Sequence, residues 1–152
     1  MNTINDLKTK GFFDLQYPSS LRAKVSQVAM AWKEFYMLPT DIKKGLPYSN
    51  TADGVGYELK DGLGDKADRK ENFDVTTAGK TWLETEIKNI HNQKALEFVK
   101  EATALVGLLK PTILDFARQA EQVFGLEGFV DEVNASEDSY FVRFIHYFGE
   151  LN

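Results

Sequence analysis

The sequence predicts an α+β fold with two main helices and a few short strands. Two observations carry this. Leu21, Val25, Val28, Ala29, Trp32, Phe35 and Tyr36 recur at three- and four-residue spacing, and so do Val99, Ala102, Val106, Leu109, Ile113, Phe116, Ala120 and Val123. Each set makes one apolar stripe on a helix. Between and after them lie short runs, Glu71–Thr76 and Tyr140–Phe148, whose alternating or aromatic character suits strands. The first helix is expected over about 19–37 and the second over about 92–124.

The elements follow in order. Phe12-Phe13-Asp14-Leu15-Gln16-Tyr17 reads as a short strand entered at Gly11 and ended by Pro18. Ser19 or Ser20 can cap the first helix, and Leu38-Pro39 ends it, because proline disfavours the helical region in the residue before it. Thr40–Gly45 adds one helical turn with a glycine stop. Residues 46–69 lack periodicity and read as a long loop with a short strand near Tyr57. Pro111 inside the long helix removes one backbone donor, so a kink or break is expected there. Gly125 suits the position after that helix, and Gly128–Val133 adds a further turn. No linker or repeat divides the chain, so residues 1–152 are read as one domain.

Composition narrows the function. Hydrophobic residues make up 43% and charged residues 27%, which is globular rather than disordered. The absence of cysteine excludes disulfides, thiolate metal sites and cysteine nucleophiles. A net charge of −5 disfavours a phosphate-binding surface, so nucleic acid is not an expected partner. No run of about 18 apolar residues suggests a membrane span, and residues 1–6 do not read as a signal peptide. The expected setting is cytoplasmic, which makes the sequon Asn134-Ala135-Ser136 accidental.

Few motifs carry chemistry. Gly54-Val55-Gly56 lacks the third glycine and the helix of a dinucleotide site, and lacks the Lys-Ser/Thr of a phosphate loop. Asp61, Asp65 and Asp68 have the wrong residues between them for a calcium loop. The two histidines stand apart: His91 suits a surface or cap role, and His146 a buried, hydrogen-bonded one. Neither belongs to a His-x-Asp or His-x-Glu pair, and there is no Gly-x-Ser-x-Gly elbow. No complete active site is legible in the residues alone.

The order of segments, however, resembles a known family. Gly11-Phe12-Phe13, then a helix ending Phe35-Tyr36-Met37-Leu38-Pro39, then Gly56-Tyr57 and Asp68-Arg69-Lys70-Glu71-Asn72-Phe73-Asp74, occur in the order of the N-terminal region of isopenicillin N synthase-like, non-haem iron(II) and 2-oxoglutarate-dependent oxygenases. Phe124-Gly125-Leu126 resembles the Leu-Gly-Leu end of that family's long helix. Val142-Arg143-Phe144-Ile145-His146-Tyr147 resembles its Leu-Arg-Leu-Ile-His-Tyr strand, the first of the catalytic jelly roll. The likeness covers about 11–135 for the N-terminal region and about 139–148 for the strand. The chain departs from the pattern at Tyr17-Pro18-Ser19, where the family has Asn-His-Gly, and at Phe148, where it has proline. The His-x-Asp, distal His and Arg-x-Ser motifs, which lie downstream in the family, are not in these 152 residues.

The resemblance implies a substrate-pocket-forming part of an oxygenase that oxidises a small molecule, with Fe(II) and 2-oxoglutarate as the complete enzyme's cofactors. This chain, without the iron ligands, is then expected to be inactive alone. Tyr147 matches a 2-oxoglutarate contact, and Val55, Tyr57 and Glu58 would line the substrate wall. Ile145 stands where the family often has asparagine, so one polar contact is missing. Lys70 and Glu71 are expected to fix a strand edge. The aromatic terminal strand is expected to need neighbours, from the rest of a larger enzyme or by dimer contact. Two rival readings are a non-catalytic interaction module and a plain α+β domain. Topology discriminates: the family calls for the two helices packed together and the last strand set apart from the first ones, whereas a closed meander of adjacent strands counts against it.

Overall fold

The computed structural model describes residues 4–50, 54–60 and 69–148. The helices are α1 (Leu7–Lys10), α2 (Ser19–Tyr36), α3 (Thr40–Lys43), α4 (Lys80–Glu86), α5 (Gln93–Phe124) and α6 (Phe129–Ala135). The strands are β1 (Gly56–Lys60), β2 (Lys70–Thr76) and β3 (Phe141–Tyr147). The mixed α+β class holds, with a small antiparallel sheet in the order β1-β2-β3. No helix among the described residues is long and apolar enough to cross a membrane.

Helices α2 and α5 pack on each other as their stripes dictate. Leu21, Val28, Trp32 and Phe35 of α2 meet Phe98, Val99, Ala102, Leu105 and Val106 of α5 in one core. An exposed pair, Lys94–Glu34 (2.5 Å), and a largely buried one, Lys24–Glu101, reinforce the contact. Asn92 caps α5, its side-chain oxygen accepting from the backbone N–H of Lys94 and Ala95. At the other end Gly125 adopts φ 67° and donates to the Glu121 carbonyl. Of the kink or break expected at Pro111, the break does not occur: α5 runs through it. Proline removes the N–H that would reach the Gly107 carbonyl, yet packing on either side holds α5 continuous: Phe98 and Val106 against α2, Phe116 against Phe13.

Three further expectations are corrected. Residues 12–18 form no strand. Phe13 instead stacks on Phe116 of α5 at 5.7 Å, while Phe12 and Tyr17 are exposed. Neither Ser19 nor Ser20 caps α2; the helix starts at Ser19 itself, after Pro18 in extended geometry. Finally, β3 is not set apart from the earlier strands. It pairs along all of β2, from Lys70↔Tyr147 to Thr76↔Phe141. Val142 and Phe144 belong with Phe73 and Val75 on the helix-facing side, so burial of these rings fixes the register. The sheet is open, and the outer edge of β3 has no partner strand among the described residues.

Entry into β1 depends on Gly56. Its φ is 110°, and a Cβ there would sit 2.5 Å from the Pro47 carbonyl oxygen and 2.9 Å from that of Leu46. Both are backbone atoms and cannot swing away. Gly56→Ala is expected to cost more than about 2 kcal/mol, from the strained φ and the clash together. Urea unfolding at neutral pH checks it, with Gly107→Ala, which meets nothing within 4 Å, as the tolerated control.

Candidate functional site

The sheet has two chemically different faces, set by strand alternation. Tyr57 and Leu59, Glu71, Phe73 and Val75, and Val142, Phe144 and His146 share the face that carries the helices. Glu58, Asn72, Asp74, Thr76, Phe141, Arg143, Ile145 and Tyr147 share the other.

On the helix side, Glu71 is fully buried and accepts three hydrogen bonds. Lys43 Nζ donates to Oε2 at 2.5 Å and Tyr57 Oη donates to the same oxygen at 2.6 Å. His146 Nδ1 lies 2.9 Å from Oε1. A carboxylate can only accept, so Nδ1 carries the proton. Lys43 also donates to the Tyr36 carbonyl, 2.9 Å away at the end of α2, and His146 stacks on Tyr36 at 4.1 Å. Burial alone would raise the Glu71 pKa, but the hydrogen bonds from Lys43, Tyr57 and His146 outweigh it and hold the carboxyl below its ordinary range. Burial, and donation to this carboxylate, push the Tyr57 phenol far above its ordinary range. Every strand and the α2–α3 corner are thereby tied to one anion. Glu71 and Lys43 were not legible as a pair, because they are 28 residues apart and no local pattern joins them. Glu71 does fix a strand, as expected, but β2 is the middle strand and not an edge.

On the open face, Asp74 and Arg143 form a two-pronged pair, Nε donating to Oδ1 at 2.7 Å and Nη2 to Oδ2 at 2.6 Å. Asp74 is buried, whereas the Arg143 side chain is 45% exposed. The pair borders a cavity of about 460 Å³ lined also by Tyr48, Thr76, Asp138 and Phe141. That volume is in the range of small-molecule pockets. Phe141 and Tyr147 on β3 are 60% and 58% exposed, whereas Asn72, Asp74 and Thr76 on β2 are buried.

The site residues expected from sequence divide between the faces. Tyr147 stands on the open face with the Lys70 ammonium 5.5 Å from its ring centroid. Glu58 stands there too, paired with Lys60 at 3.2 Å. Val55 and Tyr57 lie in the core instead, Val55 at zero exposure and Tyr57 bonded to Glu71, so in this chain they meet packed side chains rather than a cavity. Gly54-Val55-Gly56 is a turn into β1, with the Gly54 N–H donating to Ser49 and the Ser49 N–H to Val55. Asp61, Asp65 and Asp68 lie outside the described residues.

The described residues do not fit an iron site. His91 is exposed just ahead of α5, and His146 is committed to Glu71. Among the described residues no three His, Cys, Asp or Glu side chains converge. On the open face the amide of Asn72 is buried, and its Nδ2 has no hydrogen-bond partner. Comparison with protein-family models, with curated proteins and with solved structures gave no match.

Proposed function

We propose that the chain is the N-terminal, substrate-pocket-forming part of an iron(II)- and 2-oxoglutarate-dependent oxygenase that oxidises a small molecule in the cytoplasm. The observation that carries the reading is the two-sided sheet. One face is closed by α2 and α5, while the other presents Tyr147, Arg143 and a cavity of about 460 Å³. Tyr147, which the resemblance matches to a co-substrate contact, stands on this same face but outside the residues that line the cavity. The packing of α2 on α5 agrees with the family; the pairing of β3 with β2 departs from the topology set out above. In this reading iron and 2-oxoglutarate supply the oxidising chemistry of the complete enzyme. This chain's residues shape the wall: Arg143, held by Asp74, borders the cavity, and Phe141 and Tyr48 give it aromatic walls.

The test is turnover. The complete reading frame, supplied with iron(II), is expected to convert 2-oxoglutarate to succinate, and the 152-residue chain alone to give none. Absence of turnover by the complete protein across a broad panel of small-molecule substrates, or turnover by the chain alone, would overturn the reading. The second reading, a non-catalytic interaction module that pairs through the aromatic strand β3, draws on its edge without a partner among the described residues. It calls for a dimer in solution, and a monomer at micromolar concentration by sedimentation would count against it.

A further inference from the structure

The cavity beside Phe141 carries a charge that the fold does not consume. Its lining holds three charged side chains, Asp74, Asp138 and Arg143. Asp74 and Arg143 neutralise each other through two hydrogen bonds. The Asp138 carboxylate has no hydrogen-bond or ion-pair partner among the described residues. The lining therefore keeps one negative charge, which suits a cation. The chain's net charge of −5 draws cations in the same sense.

Asp138 is also held in place. It lies in the short turn Glu137–Ser139 just before β3. The Thr77 N–H donates to the Tyr140 carbonyl at 3.0 Å and the Ala78 N–H to the Asp138 carbonyl at 3.4 Å, which ties the turn to the end of β2. Lys110 pairs with the neighbouring Glu137 and anchors the turn to α5. A carboxylate on an anchored turn needs little backbone ordering to meet a ligand. The Ser139 hydroxyl next to it has no partner among the described residues either. Of the two aromatic walls, the Phe141 ring already has the Arg143 guanidinium 6.0 Å from its centroid. No cation among the described residues lies over the Tyr48 ring. An aromatic face beside an unpartnered carboxylate favours an organic cation over a bare metal ion. The volume of about 460 Å³ admits a small molecule.

We infer that this cavity binds a small primary amine, its ammonium donating to the Asp138 carboxylate and its apolar body lying against Tyr48. The inference takes the amine as the substrate class of the oxygenase reading and rests on that reading.

The experiment titrates the nitrogen-15 labelled 152-residue chain with benzylamine and follows the backbone amides of Asp138, Ser139 and Phe141 by NMR. Benzyl alcohol and benzoate at matched ionic strength are the neutral and anionic arms. Saturable shifts of the three amides with benzylamine, and neither comparison compound saturating them, are the expected result. Asp138→Asn is expected to weaken benzylamine binding about fivefold, in line with an exposed ion pair. Asp131→Asn, on α6 and outside the cavity lining, is expected to leave it unchanged. An equal response to benzyl alcohol, a stronger one to benzoate, or unchanged affinity in Asp138→Asn would each overturn the inference. The titration needs neither iron nor 2-oxoglutarate, so its failure leaves the oxygenase reading standing. A complete enzyme that turns over only substrates lacking an amine would likewise remove this inference alone.

Discussion

Lys43→Met is expected to destabilise the fold by about 3–5 kcal/mol, because it leaves a buried carboxylate without its cation. Lys43 and Glu71 have side chains 5% and 1% exposed, so water cannot replace the lost partner. The same substitution removes the donor that Lys43 gives to the Tyr36 carbonyl at the end of α2. Urea unfolding at pH 7 measures the loss, and a cost below about 1 kcal/mol would contradict the account. The double variant Lys43→Met, Glu71→Leu is expected to recover part of it, since the pair's desolvation goes with the pair, but not all, since the Tyr57 hydroxyl then lacks its acceptor. The pH dependence has a definite sign. The folded Glu71 pKa is lowered, so its contribution is complete above the ordinary carboxylate range and is lost as pH falls through the folded value. Without Lys43 that value rises, and the acid-unfolding midpoint of the variant should move to higher pH.

Phe98→Ala is the second large effect. The Phe98 ring lies 4.7 Å from Phe35, 5.1 Å from Phe73, 5.2 Å from Phe144 and 5.3 Å from Trp32, centroid to centroid. It therefore joins α5 to α2, β2 and β3 at one point. Removing a fully buried ring of this kind costs about 3–5 kcal/mol in lost transfer energy and cavity. Thermal or urea unfolding reads it. Leu96→Ala, on the exposed side of the same helix, should stay within about 1 kcal/mol. If the two variants behaved alike, the stripe reading of α5 would be wrong.

The helices were legible because their apolar residues keep one period for many turns. The stripe from Val99 to Val123 needs no tertiary information, and α5 ends within a residue of the expected bounds. The segment 12–17 shows the limit of such patterns. Its aromatic residues satisfy a strand template, yet whether they pair depends on a neighbouring edge that sequence does not reveal. The same limit hid the position of β3, since register and partner are set by Phe73, Phe98 and Phe144 meeting in the core. The site divides in the same way. Tyr147 is singled out by its motif alone, and alternation puts it on the open face. Tyr57 and Val55 were assigned to a wall from the same kind of motif, but their burial follows from contacts with α2 and Glu71. The lock of Lys43, Tyr57, Glu71 and His146 joins residues from four elements, and Asn72 is conspicuous only once its missing partner is seen.

We propose that this sheet forms one wall of an oxygenase site whose iron ligands come from outside these residues. The most direct measurement is the sequence of the messenger RNA beyond the codon for Asn152. An open frame carrying His-x-Asp, then a distal His, then Arg-x-Ser is the expected result. A stop codon immediately after Asn152, or an open frame without those three motifs, would contradict it.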